Sequence, residues 1–152
     1  MVYTYSSEII PENVMKDLLD VNWPNVKEIP KPTFIVKNDA DDPWSRINYR
    51  DGDYLVISSD SSEQIKYRGN IHYYDKAYTL NLEFRSMRDR QRIRDIWKVI
   101  KAICFDNKWD FTGYQLLRMT SYQESTNSEF NVWRGVIKVI VESGAVPVET
   151  LA

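Results

Sequence analysis

Histidine and cysteine each occur once, as His72 and Cys104, in a chain of 152 residues. A single histidine excludes multi-histidine metal sites and most histidine-based dyads and triads. His72 stands between Ile71 and Tyr73 in a β-prone run, where packing and a hydrogen bond are its expected role. A lone cysteine cannot close an internal disulfide. Cys104, set among isoleucines in a helical pattern, reads as a small buried hydrophobe, compatible with a reducing compartment.

Long apolar runs are missing too: nothing approaches the roughly 18 residues of a membrane-spanning stretch. The opening residues MVYTYSSEIIPENV carry neither a basic nor an apolar leader segment, so the chain is expected to be neither exported nor membrane-spanning. There is no P-loop and no GxGxxG. Asp39, Asp41 and Asp42 resemble a fragment of a calcium loop, yet the glycine of the turn and the distal glutamate are absent. Glu83 and Glu124 are the remaining thought for a carboxylate pair, and nothing local brings them together. The expectation is a protein with no enzymatic activity, no cofactor and no metal.

What is present is apolar and aromatic: 43% hydrophobic residues, with ten tyrosines and five tryptophans, enough to bury one core. A single domain over residues 1–152 is expected. Its charge is uneven. Residues 1–64 hold 6 basic and 12 acidic side chains, whereas 65–152 hold 14 and 10. Opposed charge in the two parts of a chain suits head-to-tail association of like subunits, unless folding mixes the two over one surface.

Pro11 opens ENVMKDLLDV, where Val14, Leu18 and Val21 recur at helical spacing beside Met15 and Leu19, predicting a first helix that stops before Asn22-Trp23-Pro24. Two prolines then precede Thr33–Val36, which reads as an edge strand or extended arm. Residues 38–53, polar, acidic and turn-rich, predict a long projecting loop. Tyr54–Ser58 and IKYRGNIHYY predict a hairpin around a SDSSEQ turn, with Gly69 at a bulge. Next comes strict alternation: Tyr78, Leu80, Leu82 and Phe84 on one face, Thr79, Asn81, Glu83 and Arg85 on the other. Residues 114–123 and 129–142 predict two more strands around QESTNSE, with Trp133, Ile137, Val139 and Val141 facing one way and Arg134 and Lys138 the other. Residues 143–152 read as a C-terminal arm. The class is α+β: a mainly antiparallel sheet packed by one long amphipathic helix, with an N-terminal helix and a long loop.

That long helix, over 87–105, opens on RDRQRIRD. Ser86-Met87-Arg88-Asp89 has the Ser-x-x-acid form of a helix start. Ile93, Ile96, Trp97, Ile100, Ile103 and Cys104 fall in one stripe about 120° wide, as a helix lying on a sheet requires. Arg90, Arg94, Lys98 and Lys101 gather along one flank; Arg88, Arg92 and Asp95 lie on the other. Asp89 and Asp95 stand at pairing distance from Arg92, yet residues 85–101 hold 7 cations against 2 carboxylates. The excess meets water, an acidic neighbour such as the 38–53 loop, or nucleic acid.

Taken in order, a helix from Pro11, an extended segment, a long loop, a strand pair, the alternating strand, the amphipathic helix and a final strand pair resemble the tail terminator (tail-completion) proteins of tailed phages and related archaeal viruses. The likeness is carried by element order and size, not by a motif. It implies a structural virion protein, made in the host cytoplasm: a homo-oligomeric ring, commonly a hexamer, that terminates the tail tube and joins it to the neck proteins. In such a ring Arg90, Arg94, Lys98 and Lys101 would contact a neighbour or line a lumen that DNA passes through, with Asp39, Asp41 and Asp42 as the complementary surface. A different class remains open: a small nucleic-acid-binding or regulatory α+β module using the arginine helix and the strand of Tyr67, Arg68, Tyr73 and Tyr74.

Overall fold

The computed structural model describes residues 10–37, 42–48, 50–67, 69, 72–87, 89–109, 111, 114–127 and 131–147. Within them the chain is α+β. Helices α1 (Pro11–Asn22) and α2 (Arg90–Asp106) lie against strands β1 (Thr33–Val36), β2 (Tyr54–Tyr67), β3 (Tyr73–Ser86), β4 (Leu116–Asn127) and β5 (Val132–Pro147). The strand order is β1-β2-β3-β5-β4, antiparallel except where β1 runs parallel to β2.

Proline at the first helical position starts α1, since its missing N–H is one the helix leaves unbonded anyway. Its buried stripe is Pro11, Met15 and Leu19. Val14 and Leu18 flank that stripe, and Val21, expected inside, is 81% exposed. The apolar centre of the helix is thus rotated from the valines toward Met15 and Leu19.

Because β1 and β2 are parallel, the chain must return to the end from which β1 started, and residues 37–53 make that crossover. The long loop read from sequence is this connection. Its described part is held against the sheet from Asp42 onward: Trp44, buried in the 3-10 turn Pro43–Ser45, packs under the Arg85 guanidinium at 4.2 Å. Residues 38–41 and 49, with Asp39 and Asp41, lie outside the described residues.

Three turn readings are corrected. SDSSEQ is strand: β2 continues through it to Tyr67, a register shift between Ser59 and Glu63 absorbing the irregularity. Serines favour turns only where no partner strand competes, and β3 supplies one on both sides of that shift, to Ser59 and to Glu63 and Gln64. The hairpin turns instead near Gly69, whose φ of 80° is a conformation glycine adopts freely. His72 is therefore exposed just before β3 rather than inside a strand. QESTNSE is likewise mostly strand, with Asn127 paired to Val132. The first part of the supposed C-terminal arm is also strand, since Val146 and Pro147 pair with Tyr74 and Tyr73.

Helix α2 starts three residues later than its Ser-x-x-acid signature implied. Asp89 is the cap, its carboxylate accepting from the Arg92 amide at 3.1 Å, while Ser86 is the buried last residue of β3. Ile93, Ile96, Ile100, Ile103 and Cys104 are buried as expected, joined by Val99, with Trp97 at the rim. They cover Leu80, Leu82 and Phe84 of β3 and Ile137, Val139 and Val141 of β5, all fully buried. Each such side chain contributes about 1.5–3 kcal/mol on burial.

Arg92 departs furthest from expectation. It is 5% exposed, donating from Nε to Asp53 Oδ2 at 2.5 Å and from Nη2 to the Pro30 carbonyl at 2.6 Å. Neither Asp89 nor Asp95 takes its side chain: Asp89 caps the backbone, and Asp95 accepts from Gln91. The buried pair ties the start of α2 to the segment entering β1 and to the residue preceding β2.

Two outcomes follow for stability. Arg92→Ala or Asp53→Ala, each stranding a buried partner, is expected to cost about 3–5 kcal/mol in denaturant unfolding, with the double variant losing much less than the sum. Gly135→Ala is expected to cost about 1–3 kcal/mol, because a Cβ there would meet Phe84 ring atoms at 2.5 Å and that ring is fully enclosed. Adding Phe84→Leu should recover part of that loss in the same assay.

Candidate assembly surface

The cationic ridge read from the sequence lies along the flank of α2 that faces β4. Arg90 and Arg94 both reach Glu124 of β4, from their Nε atoms to Oε2 at 3.1 Å and to Oε1 at 3.2 Å. The Tyr122 hydroxyl donates to the same Oε1 at 2.8 Å. Residues 122 and 124 are two apart on one strand and so share a face, and both turn toward the helix. Lys101 sits over the Trp97 ring at 5.2 Å, and Trp97 stacks on Tyr122 with ring centres 4.6 Å apart. Tyr122 lies parallel to Phe84 in turn, at 6.4 Å. The aromatic row runs from the core to the surface, and Lys98 joins the cluster at its outer rim.

Electrostatics here are set by the hydrogen bonds that converge on Glu124. Burial alone would raise the Glu124 carboxyl, but hydrogen bonds from Tyr122, Arg94 and Arg90 outweigh it and hold the group below the usual carboxylate range. The Tyr122 phenol is pushed upward by burial first and by its bond to Glu124 second, so it remains a donor at neutral pH. Two arginines on one carboxylate leave excess positive charge, with Lys98 and Lys101 alongside.

Asp42 is elsewhere. Its carboxylate accepts from the Trp44 amide at 3.1 Å on the face of the sheet away from α2, so it does not meet the ridge within one chain. That face carries Glu83, which receives Arg85 at 2.8 Å and Arg134 at 2.9 Å. Glu83 opposes Val136 and Glu124 opposes Gly135, one residue on, so the two glutamates point to opposite faces. Among the described residues no group of three His, Cys, Asp or Glu is placed to hold a metal. Burial pushes the Cys104 thiol up to about 12, leaving it protonated.

Sequence reasoning missed three features. Glu124 anchors the ridge from 30 and 34 residues away, and a lone glutamate in a polar strand gave no sign of it. Trp44 did carry a signal, as a large apolar side chain in an otherwise acidic loop. The third is a groove between α2 and β4, about 500 Å³, floored by Cys104, Leu117 and Met119 and walled by Phe105 and Trp109, which are 62% and 69% exposed. β4 is an edge strand with no further strand beside it among the described residues. Among the described residues its start is covered, by the Lys108 carbonyl accepting from the Leu117 amide at 2.8 Å. At the far end of the β2–β3 hairpin Ile65, Tyr67 and Tyr73 are also exposed, and Ile65 shares a second cavity with Trp109.

Fold and surface together define a two-layer α+β domain with a long open sheet edge and aromatic side chains gathered beside it. No family model matches the chain, and no curated protein matches it. No described helix is long and apolar enough to cross a membrane.

Glu124→Gln is expected to lower stability by about 1 kcal/mol at neutral pH, a modest figure because both arginines are more than half exposed and screened. A lowered folded-state value means the carboxylate's contribution is present above its unfolded value of about 4.3 and is lost as pH falls through the folded value. The difference between parent and variant should therefore be constant down to about pH 4.3 and close below it, as followed by thermal unfolding across pH.

Proposed function

We propose that this protein is a structural subunit of a ring of like copies, and specifically a virion protein that terminates a tail tube and joins it to the neck, as the element order resembling tail terminators implies. The observation that supports assembly best is the open β4 edge lying beside exposed Phe105 and Trp109. Long unpaired edges invite a further chain, and natural monomers blunt them. Contiguous exposed aromatics mark protein contacts more than solvent-facing surface.

Ring subunits need two different contact faces, one given and one received. The ridge of Arg90, Arg94, Lys98 and Lys101 borders the groove on one side of the sheet. Arg90 and Arg94 are partly neutralised by Glu124, which leaves Lys98 and Lys101 as the members best placed to meet a neighbour or passing DNA. Asp42 lies on the other face, where it is available to a second copy and not to its own ridge.

Light scattering of the purified protein across concentration and salt is the test. A closed multiple of the monomer mass, or a concentration-dependent rise toward one, is the expected result, with a central hole by electron microscopy. A monomer at every condition, together with salt-sensitive binding of DNA or RNA, would replace this reading with the nucleic-acid module.

A further inference from the structure

We infer that the groove between α2 and β4 is a socket for the outer face of helix α1 of a second copy; the inference rests on the ring reading and names its contact. The groove has an apolar floor and three cations, Lys101, Lys108 and Arg118, with no carboxylate among its lining residues. Arg118 is bound to Glu142 at 2.9 Å, and Lys101 and Lys108 lie over Trp97 and Trp109 at 5.2 Å each. An occupant of this site must be apolar at its centre and acidic at its rim.

The outward face of helix α1 offers one exposed valine, Val21, flanked by acidic side chains. The helix holds Glu12, Asp17 and Asp20 against Lys16 alone, and its outward residues include Asp17, Asp20 and Val21, which share a stripe at three- and four-residue spacing. Val21 is the most exposed large hydrophobic side chain among those described. Asp20 meets Lys31 at 2.8 Å, but both are about half exposed, so the pair is readily exchanged for another.

Placement adds a second reason. α1 packs against β1, β2 and β3, whereas the groove borders β4, so the strand order sets them on opposite lateral sides of one sheet. A face on one side that complements a face on the other cannot be satisfied within a single chain. Repeated from copy to copy it is a heterologous contact, which closes into a ring or extends as a filament.

A charge-swap experiment tests this directly. One variant carries Lys101→Glu and Lys108→Glu; the other carries Asp17→Lys and Asp20→Lys. Asp17, Asp20 and Lys108 are exposed and Lys101 is half-buried at the groove rim, and circular dichroism checks that each variant folds. Each variant alone is expected to assemble roughly tenfold or more weakly than the parent, since like charges then face each other at every contact. Mixed in equal amounts, the two should assemble again, because each groove then meets an α1 of opposite sign. Parent rings with both single variants assembling normally would overturn this contact while leaving the ring intact. Weak variants without recovery on mixing would also overturn it, by separating the two surfaces. A parent that never assembles removes both the contact and the ring.

Discussion

The buried pair between Arg92 and Asp53 holds three parts of the chain in register. Arg92 sits in the first turn of α2, Asp53 precedes β2, and the Pro30 carbonyl belongs to the segment entering β1. Taking a guanidinium and a carboxylate out of water costs several kcal/mol per ion, which only close geometry and further hydrogen bonds offset. Hydrophobic burial stabilises the sheet–helix sandwich without fixing where along β3 and β5 the helix begins. The ion pair fixes it. Once α2 is placed there, its Arg90 and Arg94 reach Glu124, Trp97 comes to rest on Tyr122, and the helix stands off β4 at its C-terminal half, where the groove lies.

The sheet adds a second constraint. A parallel β1–β2 pair demands a crossover, and that crossover carries Trp44 to the face away from the helices. One face of the sheet is therefore covered by α1 and α2 except at the groove beside β4, while the other carries polar pairs such as Glu83 with Arg85 and Arg134. Among the described residues β4 remains the long uncovered edge. The arrangement leaves the molecule with unlike sides: a basic apolar groove at one lateral edge, and an acidic helix with an exposed valine toward the other.

Position within the chain explains why the cationic ridge was legible while its function was not. Helical spacing alone places Arg90, Arg94, Lys98 and Lys101 on one flank, and the structure puts them there. The same wheel put Arg92 on the other flank, within pairing distance of Asp89 and Asp95, because a wheel counts angles and does not know that Asp53 will arrive from 39 residues away. Arginine's long stem and rigid fork let it be buried wherever a carboxylate and a carbonyl converge, and that convergence is a tertiary event. Asp42 shows the converse: acidic in sequence and apparently suited to the ridge, it is carried by the crossover to the opposite face.

Local physics determined the elements. Alternation made β3 a strand with Leu80, Leu82 and Phe84 inward, the isoleucine stripe made α2 a helix on a sheet, and proline at the first helical position started α1. Composition pointed to a single aromatic-rich core, and helical spacing to a buried Cys104, which the fold then holds protonated. Tertiary structure decided the rest: that β2 runs on through SDSSEQ and β4 as far as Asn127 because partner strands pair with them, that Glu124 gathers two arginines, and that β4 ends the sheet beside an open groove among the described residues. Periodicity is a property of neighbours three or four residues apart and survives in the sequence. Pairing between distant residues depends on where the whole chain folds back, and no local pattern encodes it.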